Sequence, residues 1–140
     1  MLFTKFLVLT ALSLANISPV KAIISCYKRG TTFGKDLDGI RQIIHQACYE
    51  GSVTGDIPPF KYKPYCYSYR DEINPQAANR IDITVLNWGY HKHDVGKDIC
   101  NQYLTDILNK CSQEGGYGGA ALFAVGEDFI YLRLDREYSS

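Results

Sequence analysis

The stretch that decides the fold is Arg80–Trp88, which reads RIDITVLNW. Ile81, Ile83 and Val85 alternate with polar residues, and this period of two is typical of a strand with one buried face. Residues 87–93 form a loop, and beyond it the period changes to that of a helix. We therefore expect a central strand that leads through a short loop into a long helix.

The expected helix begins after Asp94, which is a candidate cap for its free backbone N–H groups. Lys110 suits its last turn, where positive charge complements the helix dipole, and Gly115-Gly116 ends it. Its apolar residues form one continuous stripe, made of Ile99, Cys100, Tyr103, Leu104, Ile107, Leu108 and Cys111. This stripe gives the helix one face to bury.

The N-terminal half shows the same change from strand to helix. Ile23–Tyr27 predicts a first strand, and residues 35–51 predict a helix that ends at Gly51. The apolar face of that helix contains Leu37, Ile40, Ile44, Ala47 and Cys48. Phe60–Tyr69 predicts a second strand, and Pro64 places it at a sheet edge because proline cannot donate to the ladder.

The last expected elements are two strands, Ala120–Val125 and Phe129–Leu134, joined by a tight turn at residues 126–128. The order along the chain is thus βαββαβ, with one additional strand at the end. It indicates the α+β class. We expect a two-layer α/β sandwich, in which a four- to five-stranded antiparallel sheet carries two helices on one face in the ferredoxin-like manner.

Residues 1–22 have the layout of a secretory signal peptide, with a short apolar run and small residues at Val20 and Ala22 before the expected cleavage site. The run is too short for a stable membrane-spanning helix, and no second apolar segment reaches that length. Residues 23–140 then form one secreted, disulfide-stabilised domain. Two lysines leave with the signal, so its net charge is −2, which argues against nucleic acid as a partner.

Five cysteines in a secreted chain of this size indicate disulfides, and the odd number leaves one free or joined to another molecule. Cys100 and Cys111 lie about 16 Å apart on one helix and cannot pair with each other. A ferredoxin-like path makes the helices antiparallel, which brings Cys48 close to Cys100. We expect Cys48–Cys100 and Cys66–Cys111, with Cys26 unpaired or intermolecular. Cys26–Cys111 remains an open alternative.

A pattern of cysteines and glycines runs through the expected domain. It consists of Cys26-Tyr27-x-x-Gly30, Ala47-Cys48, Cys66 and Ile99-Cys100-x10-Cys111-x3-Gly115-Gly116. The pattern resembles that of small secreted cysteine-rich fungal proteins with an α/β sandwich, which include killer-toxin-like effectors and a secreted glycan-binding family. The resemblance implies a non-enzymatic, virulence-associated protein that binds a host or competitor protein or glycan. Unlike many members of that group, the chain has no cysteine near the end of its last strand.

Tyrosine is the most unusual feature of the composition, with eleven residues against one tryptophan. Side chains alternate along a strand, so one side of the expected edge strand carries Lys61, Lys63, Tyr65, Tyr67 and Tyr69. Tyrosine offers apolar area and a hydroxyl at low entropic cost, which suits sugar faces and protein partners. We predict that this row, extended by Trp88, binds the ligand or partner. The alternative is that a subunit or a loop covers the row.

The catalytic alternatives lack a recognisable motif. A weaker resemblance to secreted fungal ribonuclease-like proteins, which lack the second long helix, suggests a set of Glu72, Arg80, His91 or His93, and Tyr62. His91-x-His93-Asp94 makes at most a partial metal site, so we expect no metal and no cofactor. The expected function is therefore that of a secreted effector-type binding protein, with a glycan-binding lectin and a ribonuclease-like protein as alternatives. We also expect a homodimer or heterodimer, formed through the open sheet face or the odd cysteine.

Overall fold

The computed structural model describes residues 22–68, 73 and 80–137. This part of the chain holds a five-stranded antiparallel sheet, a separate two-stranded ribbon and two helices. The α+β class is therefore confirmed. The expected signal peptide (except for Ala22), Tyr69 and Glu72 lie outside the described residues.

The elements follow one another along the chain in the order β1 (Ile23–Cys26), α1 (Leu37–Tyr49), β2 (Gly55–Ile57), β3 (Tyr62–Ser68), β4 (Arg80–Trp88), β5 (His93–Val95), α2 (Lys97–Gln113), β6 (Gly119–Val125) and β7 (Asp128–Glu137). The strands β2 and β5 form the ribbon, and the other five form the sheet.

The two helices begin differently. At the start of α1, Asp36 accepts a hydrogen bond from the backbone N–H of Gly39 (3.0 Å), which is the usual N-cap contact. The cap expected for α2 is wrong, because Asp94 lies in β5 opposite Asp56 and the helix begins only after Gly96. The short pairing of β2 with β5 is a long-range contact that local patterns did not reveal.

The sheet has the order β1-β6-β7-β4-β3, so the ferredoxin-like arrangement is not found. The strand β7 forms a hairpin with β6 and pairs with β4 along its whole length, from Arg80↔Glu137 to Trp88↔Phe129. This long strand takes the centre of the sheet, and the short β1 lies at an edge beside β6. The strand β3 lies at the opposite edge, as Pro64 predicted.

The core lies between the two helices and one face of the sheet. Both expected helix stripes are buried there, apart from a half-buried Leu37 and an exposed Ile99. The sheet contributes the buried side chains of Ile81, Ile83, Val85, Ala121, Phe123, Ile130, Leu132 and Leu134. Neither helix in the described ranges is long and apolar enough to cross a membrane.

One disulfide joins the two helices to each other, and a second joins α2 to β1. Cys48–Cys100 joins the end of α1 to the start of α2, as predicted. The expected pair Cys66–Cys111 is wrong, because Cys111 is bonded to Cys26, while Cys66 is free and exposed. The sheet order explains the difference: β1 packs against α2, whereas β3, which carries Cys66, lies at the far edge.

Candidate functional site

One face of the five-stranded sheet has no helix on it within the described residues, and we call it the open face. Its side chains come from every second residue of each strand. One row of it is apolar from edge to edge, and the strand register aligns Tyr62, Leu86, Tyr131, Leu122 and Ile23. The two ends of this apolar row, Tyr62 and Ile23, are 61% and 71% exposed. Contiguous exposed apolar surface usually marks an interaction site.

An aromatic cluster, formed by Phe60, Trp88 and Tyr90, stands at one end of the open face. Phe60 contacts the other two rings edge to face, with centroids 5.9 Å and 5.2 Å from its own. Trp88 is 59% exposed and Tyr90 is 79% exposed. Phe60 has a left-handed backbone with a φ of 58°, which is costly for a bulky residue. Backbone strain of this kind concentrates at functional sites.

A shallow cavity of about 400 Å³ lies beside the aromatic cluster. Its walls are formed by Leu86, Trp88, Leu122, Phe129 and Tyr131. The hydroxyl of Tyr131 is already hydrogen-bonded to that of Tyr27 (3.4 Å). Burial and this hydrogen bond raise the pKa of Tyr27 to about 12. The cavity therefore fits an apolar group, because a hydroxyl-rich ligand needs several convergent polar groups.

A buried carboxylate fixes the loop that follows Trp88 and carries Tyr90. Asp128, at the start of β7, accepts hydrogen bonds from the backbone N–H groups of Tyr90 and His91 (both 3.1 Å). The imidazoles of His91 and His93 lie 2.9 Å and 2.7 Å from its Oδ2. The hydrogen bond from His93, helped by those from Tyr90 and His91, holds the pKa of Asp128 well below its usual range. We call these four contacts the Asp128 clasp.

The other end of the open face is polar, and its charges are paired. Arg80 contacts Asp82 (3.0 Å) and also Glu137, and Arg133 contacts Asp135 (3.0 Å). Burial raises the pKa of the Asp135 carboxyl. Pairing leaves this end without a large excess of either charge, so it forms a polar rim to the apolar row.

The binding row expected from the sequence lies on the other side of β3. Tyr65 and Tyr67 are in register with buried residues of β4, so they face the helix layer. Tyr65 packs against the core, and burial raises its pKa. The ring of Tyr67 stacks on that of Tyr65, with the ring centroids 6.3 Å apart, and Tyr67 is 38% exposed. Lys63 lies on the same side, where its Nζ donates to the backbone oxygen of Thr54 (2.5 Å).

The remaining residues of the predicted binding row do not lie beside Tyr65 and Tyr67 in the described part of the chain. Lys61 is exposed just before β3, Tyr69 lies outside the described residues, and Trp88 belongs to the open face. A binding role for the Lys63–Tyr67 side stays a prediction. The sequence reasoning missed Leu86 and Tyr131, although both stand in the exposed phase of their strands, and an apolar residue in that phase is a signal of an interaction surface.

The ribonuclease-like set does not come together in the described part of the chain. Arg80 and Trp88 are at opposite ends of β4, about 26 Å apart at ~3.3 Å per residue, and His91 lies beyond Trp88. Glu72 lies outside the described residues. Among the residues that the structure describes, no three His, Cys, Asp or Glu side chains are placed to hold a metal ion.

Comparison with known proteins adds no family: no family model, no curated protein and no solved structure matches this chain. The candidate site is therefore assigned from the geometry of its own residues. The open face, with its apolar row, aromatic cluster and cavity, is the surface that those residues support best.

Proposed function

We propose that this chain is a secreted, non-catalytic, effector-type protein that acts by binding a host or competitor protein through its open face. The observation that carries the proposal is the apolar row, over which the described part of the chain places no helix and which continues into an exposed aromatic cluster. Tryptophan and tyrosine are among the residues that contribute most to binding at protein interfaces. Protein interfaces usually combine an apolar core with polar residues at its border, and the paired charges at the other end of the open face provide such a border on one side.

The cavity favours a protein over a glycan as the partner. A sugar that entered it would lose hydrogen bonds to water, and the apolar walls would not replace them. A leucine, phenylalanine or tryptophan side chain loses nothing of this kind and gains the contact with Leu122 and Phe129. The expected partner therefore presents one large apolar side chain as an anchor.

A phage-displayed random peptide library tests this proposal. We expect the immobilised protein, at a density too low for contact between copies, to select peptides with a large apolar anchor. The Trp88→Ala variant should bind these peptides at least about tenfold more weakly, because the indole forms a wall of the cavity. Ile99→Ala is the matched control, since Ile99 is an exposed apolar residue on α2, away from the open face.

Four results would contradict the proposal. Selected peptides without an apolar anchor, or equal binding by the Trp88→Ala and Ile99→Ala variants, would remove the open face as the protein-binding surface. Binding on a glycan array that Trp88→Ala abolishes would make the partner a glycan. Cleavage of RNA by the purified protein would contradict the non-catalytic part.

A further inference from the structure

We propose that the open face also binds a second copy of this chain, and that the two sheets pack face to face about a two-fold axis parallel to β7. The inference rests on the proposed function, because it names a partner for the same surface. Its support comes from the size of the open face, from the distribution of large and small side chains on it, and from the separation of its apolar and polar ends.

The open face is large enough for a stable dimer. The five strands of the sheet contain 37 residues in all, and each residue covers about 16 Å² at ~3.3 Å of rise and about 4.8 Å of strand spacing. One copy would bury about 590 Å² and the pair about 1,200 Å², which is at the lower end of the range of stable protein interfaces.

At the aromatic end of the open face, the side chains are large on one side of β7 and small on the other. The strand β4 presents Trp88 there, whereas β6 presents Ala124. Trp88 and Ala124 are at the same level, because both are in register with Phe129 of β7. A two-fold axis that runs along β7, midway between the sheets, lays β4 of one copy over β6 of the other. Trp88 then lies opposite Ala124 of the partner subunit, and symmetry repeats this large-to-small contact.

The same axis matches the rest of the apolar row to itself in reverse order. Tyr62 at one edge lies opposite Ile23 of the partner subunit, and Leu86 lies opposite Leu122 of the partner subunit. Because the axis is parallel to the strands, the aromatic end meets the aromatic end and the polar end meets the polar end. The interface then has an apolar end and a polar end whose charges are paired within each copy, and sheets stacked about 10 Å apart leave room for the side chains to interdigitate.

The free thiol on the open face is compatible with an association that needs no disulfide. Cys66 donates a hydrogen bond to Asp82 (2.6 Å). This hydrogen bond raises the pKa of the thiol, and the thiolate is the form that reacts. The thiol can thus stay reduced in the dimer.

Sedimentation velocity of the disulfide-intact protein over a range of concentrations tests the inference. We expect the mass to rise from one chain to two as concentration increases. Trp88→Ala removes the large side of the contact and Ala124→Trp fills the small side, so each should weaken the dimer at least about tenfold. The control Ile99→Ala should stay within about twofold of the unmodified protein. Circular dichroism verifies that each variant is folded.

The double variant Trp88→Ala/Ala124→Trp tests the axis itself. It exchanges the large and small residues, so each new tryptophan faces a new alanine across the interface. We expect it to restore the dimer to within about threefold of the unmodified protein, because the two changes are coupled. A double variant as weak as the single ones would overturn this packing. A protein that stays monomeric yet still selects apolar-anchored peptides would overturn the self-association and leave the proposed function standing.

Discussion

Replacement of Cys26 and Cys111 together by alanine should lower the free energy of unfolding by about 2–4 kcal/mol. The bond joins residues 85 positions apart, so it removes many conformations from the unfolded chain. It also holds β1, an edge strand of four residues, against α2. A Cβ on Gly119 would lie 2.6 Å from the Sγ of Cys111, which means that the bond is closely packed against β6.

Cys66→Ala is the matched control for this prediction. The Cys66 side chain is exposed, so the removal of its thiol should change the free energy of unfolding by no more than about 0.5 kcal/mol. Urea unfolding of the three proteins, followed by circular dichroism, gives the comparison. A disulfide map that links Cys66 to Cys111, or a Cys66→Ala variant as unstable as the double variant, would contradict the observed pairing.

Gly89→Ala should lower the free energy of unfolding by about 1–3 kcal/mol, because the site has no space for a methyl group. A Cβ on Gly89 would lie 2.3 Å from the Cγ of Asp128 and 2.4 Å from its Cβ. Asp128 would have to move, and the Asp128 clasp would break. The loop that follows Trp88 and carries Tyr90 would then lose its anchor, so peptide binding should weaken together with stability.

Lys92→Ala in the same loop provides the control. The Lys92 side chain is 63% exposed, and its Nζ lies 3.6 Å from Oδ2 of Asp56. Exposed ion pairs of this kind contribute at most about 1 kcal/mol to the free energy of unfolding. Urea unfolding and peptide affinity of the two variants are compared with those of the unmodified protein. A Gly89→Ala variant that is as stable as Lys92→Ala and binds the peptides as tightly would show that the loop does not depend on the Asp128 clasp.

Local patterns predicted the elements that bury a continuous stripe. The apolar period of three to four residues located both helices, and the antiparallel helices then predicted Cys48–Cys100 correctly. The alternation of Ile81, Ile83 and Val85 located the central part of the sheet. These signals are local because each residue's burial depends on its own element's period.

The sheet order and the candidate site depend on long-range pairing, which the same patterns do not encode. The choice of β4 as the neighbour of β7 moved β1 to the edge and thus paired Cys26, not Cys66, with Cys111. The register of β3 on β4 turned Tyr65 toward the helix layer and left Tyr62 on the open face. The tyrosine count directed attention to the helix side of the edge strand, whereas Leu86 and Trp88 in the polar phase of β4 indicate the open face.

The fluorescence of Trp88 tests most directly whether the open face is the binding surface, since it is the one tryptophan of the chain. In the single chain Trp88 is 59% exposed, so iodide should quench its emission when the protein is dilute. We expect an increase in protein concentration to shift the emission to shorter wavelength and to protect it from iodide, in step with the rise in the mass of the sedimenting protein. Addition of a selected peptide should cause the same shift and the same protection. Binding that proceeds to saturation while Trp88 stays equally quenched would contradict the assignment of the open face.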